Sequence, residues 1–171
     1  MNEPLPTASD SESRATAEHP EDLRLWLRLL ACTNLIEGVI RSRLRREFNT
    51  TLPRFDLMAQ LERVPEGMKM GELSKRMMVT GGNVTGITDQ LVGEGLVKRM
   101  DNPDDRRAYI VRLTPKGRKL FGEMAIAHEG WIVELLGGID ASQREQLHGL
   151  LAIVKRHASQ IATATTTDKT P

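Results

Sequence analysis

One cysteine, Cys32, in 171 residues excludes an internal disulfide framework and fits a reducing compartment. No apolar run approaches the roughly 20 residues that a membrane-spanning helix needs. The N-terminus has no basic region followed by an apolar stretch, so no secretion signal is expected and the chain reads as cytoplasmic. There is no Gly-rich phosphate loop, no nucleophile elbow and no metal-ligand cluster, which argues against an enzyme. The four histidines, His19, His128, His148 and His157, include no i, i+4 pair that would set two imidazoles on one helix face, so neither a metal nor a cofactor is expected. The net charge of +1 announces no partner by itself.

The distribution of that charge says more. Between Lys69 and Arg118 ten basic residues face six acidic ones, a surplus of four, so the rest of the chain is slightly acidic. A basic middle on a near-neutral body suits a DNA-binding module, although chance asymmetry remains an alternative at this level. Residues 1–20, rich in Pro, Ser, Glu and Ala, read as a disordered tail, and so do residues 162–171. Residues 21–161 are expected to form a single domain.

Helical periodicity dominates that domain. Glu21 to Arg46 reads as a long helix with apolar residues on two faces, including Leu23, Leu25, Trp26, Leu35 and Leu44, so burial on more than one side is expected. A second helix begins near Pro53 and carries Phe55, Leu57, Met58 and Leu61 before Pro65-Glu66-Gly67 ends it. A short helix from Met70 to about Met78, a turn at 79–82 with Thr80 as N-cap, and a helix over 81–93 follow. Gly95 is placed to stop that helix in a left-handed conformation. Two strands, 96–100 and 108–113, then flank a run of turn formers at 101–106. Thr114-Pro115 starts a helix running to about Leu136, Gly137-Gly138 breaks it, and Asp140 with Gln143 resembles a capping box for the last helix. The fold class is therefore mainly α: a winged helix-turn-helix over about 53–113, with helices from both chain ends (21–46 and 115–161). Those ends carry more apolar surface than one small domain covers, which points to a two-fold homodimer.

A helix-turn-helix followed by a hairpin has a direct physical use, because the major groove admits one helix. With Val84, Ile87 and Leu91 facing inward, the opposite face of the 81–93 helix holds Gly82, Asn83, Thr85, Gly86, Asp89 and Gln90. The amides of Asn83 and Gln90 suit adenine, and Thr85 suits a base, a phosphate or a thymine methyl. The glycines let the backbone approach a phosphate closely. At the hairpin tip Arg106 and Arg107 sit beside Asp104 and Asp105; one arginine can enter the minor groove while an aspartate holds the other, and which does which stays open. The competing reading of both features is an ordinary solvated surface.

The stretches Met70-Gly-Glu-Leu-Ser-Lys-Arg-Met77, Thr80 to Leu91, Glu94-Gly-Leu-Val-Lys-Arg99, Asn102-Pro-Asp-Asp-Arg-Arg-Ala108 and Arg112-Leu-Thr-Pro-Lys-Gly117 resemble the MarR/SlyA family of bacterial regulators over about Leu23 to Ile161. The wing signature, Asp105-Arg106-Arg107 followed by Leu113-Thr114, is its most specific part. The resemblance implies an obligate homodimer on a pseudo-palindromic double-stranded DNA site, and a small effector that releases the DNA from a site where the dimer helices meet the winged domain. Arg54 to Leu61 with Met78 to Leu91 resembles a narrower group governing catabolism of aromatic acids such as hydroxycinnamates, some of whose members respond to the coenzyme A thioester.

An effector cavity is then expected between the first, second and fifth helices, with Met58, Met70, His128 and Trp131 as candidate lining, each of which also reads as core. Arg41, Arg43, Arg45 and Arg46 end the first helix. They can complement its dipole, meet a carboxylate or coenzyme A phosphates, or be solvated, and Arg41 and Arg45 are the candidates for effector contact. Cys32 invites a peroxide-sensor reading, but family members that sense peroxide pair the thiol with tyrosines and this chain has only Tyr109, on the wing. A buried structural thiol is expected instead. The leading function is an effector-released repressor; the alternative is a constitutive or architectural DNA binder with no small-molecule effector.

Overall fold

The structure is a computed structural model and describes residues 20–77, 81–102 and 105–167, leaving aside the side chains of 102–108 and 165–167. It is mainly helical with one small antiparallel sheet. In chain order the elements are α1 (Glu21–Phe48), α2 (Leu52–Glu62), β1 (Met68–Lys69), α3 (Met70–Met77), α4 (Gly81–Gly93), β2 (Val97–Asn102), β3 (Asp105–Leu113), α5 (Pro115–Leu135) and α6 (Ala141–Thr167). The chain divides into two compact units, one ending at Trp131 and the other beginning at Ile132. No described helix is long and apolar enough to cross a membrane.

In the first unit α1 follows the helix dipole, with Glu21 and Asp22 in its first turn and Arg45 and Arg46 in its last. Asn49, in the left-handed conformation at φ 48°, ends it. The expectation that α1 is buried on two faces does not hold within the single chain. Ala31, Ile40 and Leu44 are buried, whereas Leu25, Trp26 and Leu35 are more than half exposed. Cys32 is likewise exposed and not the buried thiol expected, because Ala31 takes the inward position and the next residue lies about 100° further round the helix.

Proline at the start of α2 costs nothing, since the first-turn N–H groups have no intrahelical partner. Phe55, Leu57, Met58 and Leu61 are all buried. Together with Leu44, Leu73, Val84, Leu91, Val97, Val111 and Met124 they form the core of this unit. The sheet has the order β1-β3-β2. Its third strand, β1, is two residues long and pairs Met68 with Val111 and Lys69 with Ile110. Gly67 leads into it at φ 94°, where a Cβ would lie 2.7 Å from the Val111 carbonyl oxygen. Only glycine fits both the conformation and the space.

In the second unit the expected capping box closes the start of α6. Gln143 N–H donates to Asp140 Oδ1 at 2.8 Å and Asp140 N–H donates to Gln143 Oε1 at 2.9 Å. The helix runs to Thr167, past Ile161, where the apolar stripe ends and the sequence pattern predicts a tail. No glycine or proline interrupts the chain between Ile161 and Pro171, and Thr163 returns its hydroxyl to the Ser159 carbonyl at 2.8 Å. None of Ala141–Ala164 is buried, and Leu150, Ile153, Val154 and Ile161 are each half exposed or more.

Candidate nucleic-acid interface

Helix α4 is positioned by one apolar face and by its C-terminal end. Val84 and Leu91 are fully buried against the unit's core, and Ile87 is half-buried. Thr88 is also fully buried, a position that its polarity hides in the sequence. Its hydroxyl donates to the Val84 carbonyl at 2.7 Å, which satisfies it inside the core, and contacts the Met70 sulfur at 3.8 Å. The opposite face carries Gly81, Gly82, Asn83, Thr85, Gly86, Asp89 and Gln90, all exposed. Thr85 donates its hydroxyl to the Gly81 carbonyl at 2.9 Å, leaving its oxygen lone pairs and its methyl outward. Thr80, the expected N-cap, lies outside the described residues.

The C-terminal end of α4 is locked. Gly95 sits at φ 70°; its N–H bonds the Val92 carbonyl and the Leu96 N–H bonds the Leu91 carbonyl, both at 2.9 Å. This pair of bonds closes a helix by returning the chain through a left-handed residue. Three further contacts reach the same turn from distant parts of the chain. Arg54 of α2 ion-pairs Glu94. Lys116 donates to the Glu94 carbonyl at 2.9 Å, and Thr114 donates its hydroxyl to the Gly95 carbonyl at 2.7 Å. The Thr114 oxygen in turn accepts from Gly117 N–H at 3.0 Å, the N-cap that the Thr-Pro pair predicts.

The hairpin stands beside α4. Strands β2 and β3 pair from Val97↔Leu113 to Asp101↔Tyr109, with an irregularity between Asp101 and Asn102. The strands reach further towards the tip than the pattern predicts, extending to Asn102 and starting again at Asp105. Arg99 on β2 pairs with Asp89 on α4 at 2.6 Å, which ties α4 to the hairpin. Arg106 and Arg107 fall within β3; their side chains lie outside those described, as do residues 103 and 104.

The residues expected around an effector divide into separate settings. Trp131 is buried and His128 half-buried. They belong to an aromatic group that holds all three phenylalanines of the chain: His128 lies 4.9 Å from Phe55, Phe55 lies 5.5 Å from Phe121, and Trp131 lies 6.2 Å from Phe48. The Arg43 guanidinium stands 6.0 Å over the Trp131 ring. Burial beside these rings lowers the His128 pKa below its ordinary value. Met58 is fully buried core. Met70 sits apart, against Thr88 inside the helix-turn-helix. Arg41 is exposed and ion-pairs Glu37, and Arg45 is exposed on the last turn of α1. Beside Arg41, burial and the Glu37 charge raise the Asp56 pKa, with Arg41 opposing them. Among the described residues no three His, Cys, Asp or Glu side chains converge as a metal site would require.

Residues 50–109, which hold α2, the helix-turn-helix and most of the hairpin, match the MarR family. The chain is 29% identical to the transcriptional activatory protein BadR of Rhodopseudomonas palustris over 135 residues, 77% of each chain. Other curated relatives are matched over shorter stretches, spanning 45% to 65% of their own lengths. Among solved structures, the MarR family transcriptional regulator of Silicibacter pomeroyi is similar at 29% identity and a TM-score of 0.70, covering 84% of this chain and 99% of that one. A mutant MarR of E. coli complexed with operator DNA is similar in fold, with a TM-score of 0.69 at 24% identity over 78% of this chain and 95% of that one. With the helix-turn-helix and the paired hairpin in place, the chain has the fold of the MarR family transcriptional regulators and resembles that family most directly over residues 50–109.

Proposed function

We propose that this regulator binds a pseudo-palindromic operator as a homodimer, represses from it, and is released by a small aromatic effector, an aromatic acid or its coenzyme A thioester. The observation that carries the DNA-reading part is the solvent face of α4. Gly82, Asn83, Thr85, Gly86 and Gln90 are all exposed there, on a helix held against the wing by Asp89 and Arg99. In the reading proposed, Asn83 and Gln90 bond base edges, Thr80 and Thr85 bond phosphates or bases, and one of Arg106 and Arg107 enters the minor groove from the wing while the other stiffens its tip.

Dimerisation is supported by apolar surface that the single chain leaves in water: Leu25, Trp26 and Leu35 on α1 and Leu150, Ile153, Val154 and Ile161 on α6. Apolar area of this kind is the usual core of an obligate interface. The effector reading is supported by the aromatic group around His128 and Trp131, with a cation, Arg43, on its edge. Flat rings accept an aromatic guest and a guanidinium accepts its carboxylate. Activation in place of repression is the second reading, favoured by the likeness to BadR, an activatory protein.

The test is a titration of the duplex beside the protein's own gene, with and without aromatic acids and their thioesters. Release by one compound supports the effector. Binding indifferent to all of them removes it and leaves a constitutive regulator. A promoter fusion in cells with and without the gene separates repression from activation.

A further inference from the structure

Two local rules of charge placement are broken at one spot on the wing base. Lys98 and Arg112 are directly opposite each other across β2 and β3, where like charges destabilise a sheet. Helix α5, whose N-terminal end is the positive end of its dipole, opens with Lys116, Arg118 and Lys119 and holds no acidic residue in its first turn. The side chains of Lys98, Arg112, Arg118 and Lys119 line one open cavity of about 590 Å³, floored by Pro65 and Leu113. Of these four cations only Arg118 meets a carboxylate among the described residues, Glu62 at 3.4 Å, and both partners of that pair are substantially solvated. The strand alternation sets Lys98 and Arg112 on the sheet face opposite Val97 and Val111, which are buried. No residue of α4 lines the cavity.

Chains tolerate converging like charges where a ligand relieves them. We infer that the cavity lined by Lys98, Arg112, Arg118 and Lys119 is a second anion site, which takes an oligophosphate. A single carboxylate would leave most of the positive charge uncompensated. A chain of two or three phosphates carries matching charge, and Arg112 and Arg118 present planar forks suited to phosphate oxygens. The phosphates come from one of two sources: a free phosphorylated metabolite, or the backbone of DNA running past the operator. The inference does not depend on which bases α4 reads.

The probe is inorganic tripolyphosphate, titrated calorimetrically into the full-length protein without DNA. The expected result is saturable binding, one per chain, weakened at least about tenfold in the double variant Lys98→Gln, Arg112→Gln and unchanged in Arg106→Ala, Arg107→Ala. Tripolyphosphate should also raise the melting temperature of the native chain and not that of the double glutamine variant. That variant, relieved of repulsion, should melt no lower than the native chain when no anion is present, which separates lost binding from lost folding. Absence of saturable binding, or equal binding by the native chain and the double glutamine variant, overturns the inference. Long and trimmed forms of the gene-adjacent duplex then separate the sources. A glutamine variant weakened only on the long duplex assigns the phosphates to DNA; equal binding of both duplexes assigns them to a free oligophosphate.

Discussion

Arg54 on α2 and Glu94 at the end of α4 are forty residues apart in sequence and form an ion pair in which the arginine side chain is only 14% exposed. The pair ties the second helix to the turn that ends α4. The Arg54 Nε is buried without a hydrogen-bond partner, and the contact to Glu94 is made by the terminal Nη2. Arg54→Ala removes both the bond and the packing of a long stem and should destabilise the chain by about 1–2 kcal/mol. Arg54→Met keeps the stem, removes the unpaired Nε and should cost less. Urea midpoints of the two variants check this; an Arg54→Ala variant with the native midpoint would contradict it.

A Cβ placed on Gly117 would lie 1.9 Å from the Leu96 carbonyl oxygen, a backbone atom that cannot swing aside. Gly122, five residues further along α5, has nothing within 4 Å of its hypothetical Cβ. Gly117→Ala should therefore destabilise by at least about 2 kcal/mol, because α5 must move away from the start of β2. Gly122→Ala should stabilise by about 0.5–1 kcal/mol through helix propensity alone. Opposite signs in chemical denaturation are the expected result.

The acid side of the stability curve should carry the signature of His128. Its folded pKa lies below the ordinary value of 6.5 because burial disfavours the imidazolium. In the window between the two values the unfolded chain binds more protons than the folded one, so stability falls as pH drops below about 6.5. Asp56 acts in the other direction. Its folded pKa is raised by burial and then by Glu37, so its penalty is present in full above that pKa and is relieved as pH falls through it towards 3.8. His128→Phe should flatten the decline below pH 6.5. Asp56→Asn should stabilise at neutral pH, by an amount that shrinks on acidification. Denaturant midpoints across pH 4–8 read both slopes.

The wing is the clearest target for loss of binding. Replacing Arg106 and Arg107 together by alanine should weaken operator affinity by several kcal/mol without changing the fold. Each single variant should show which arginine serves the minor groove. Unchanged affinity in the double variant would remove the wing from the interface.

Most of this architecture is legible locally. The Thr114-Pro115 start of α5, the Asp140 and Gln143 box, the left-handed Gly95 and the apolar faces of α2 and α4 are each written within a few residues, and each appears as the pattern predicts. What the pattern misses is non-local or depends on who covers a surface. Strand β1 is two residues long, too short to show a period, and exists because β3 offers it an edge. The buried hydroxyl of Thr88 reads as polar until its bond to Val84 is seen. The ties of Arg54 and Lys116 to Glu94 span 40 and 22 residues and have no local signal. Periodicity marks Trp26 and Leu35 as apolar but does not say that the single chain leaves them exposed, and the same holds for Cys32. Arg41, Met70 and Trp131 each have different neighbours, Glu37, Thr88 and Phe48, which residue type alone does not reveal.

The measurement closest to the central claim is the affinity of the native protein and of an Asn83→Ala, Gln90→Ala variant for the gene-adjacent duplex and for a scrambled duplex, over a range of salt. The native chain should prefer its own duplex, with affinity falling steeply as salt rises because phosphate contacts release counterions. The variant should lose the preference while keeping the salt slope, since Asn83 and Gln90 are assigned to base edges and not to phosphates. A flat salt profile, or a variant that discriminates the two duplexes as well as the native chain does, would contradict the assignment of α4 as the reading helix.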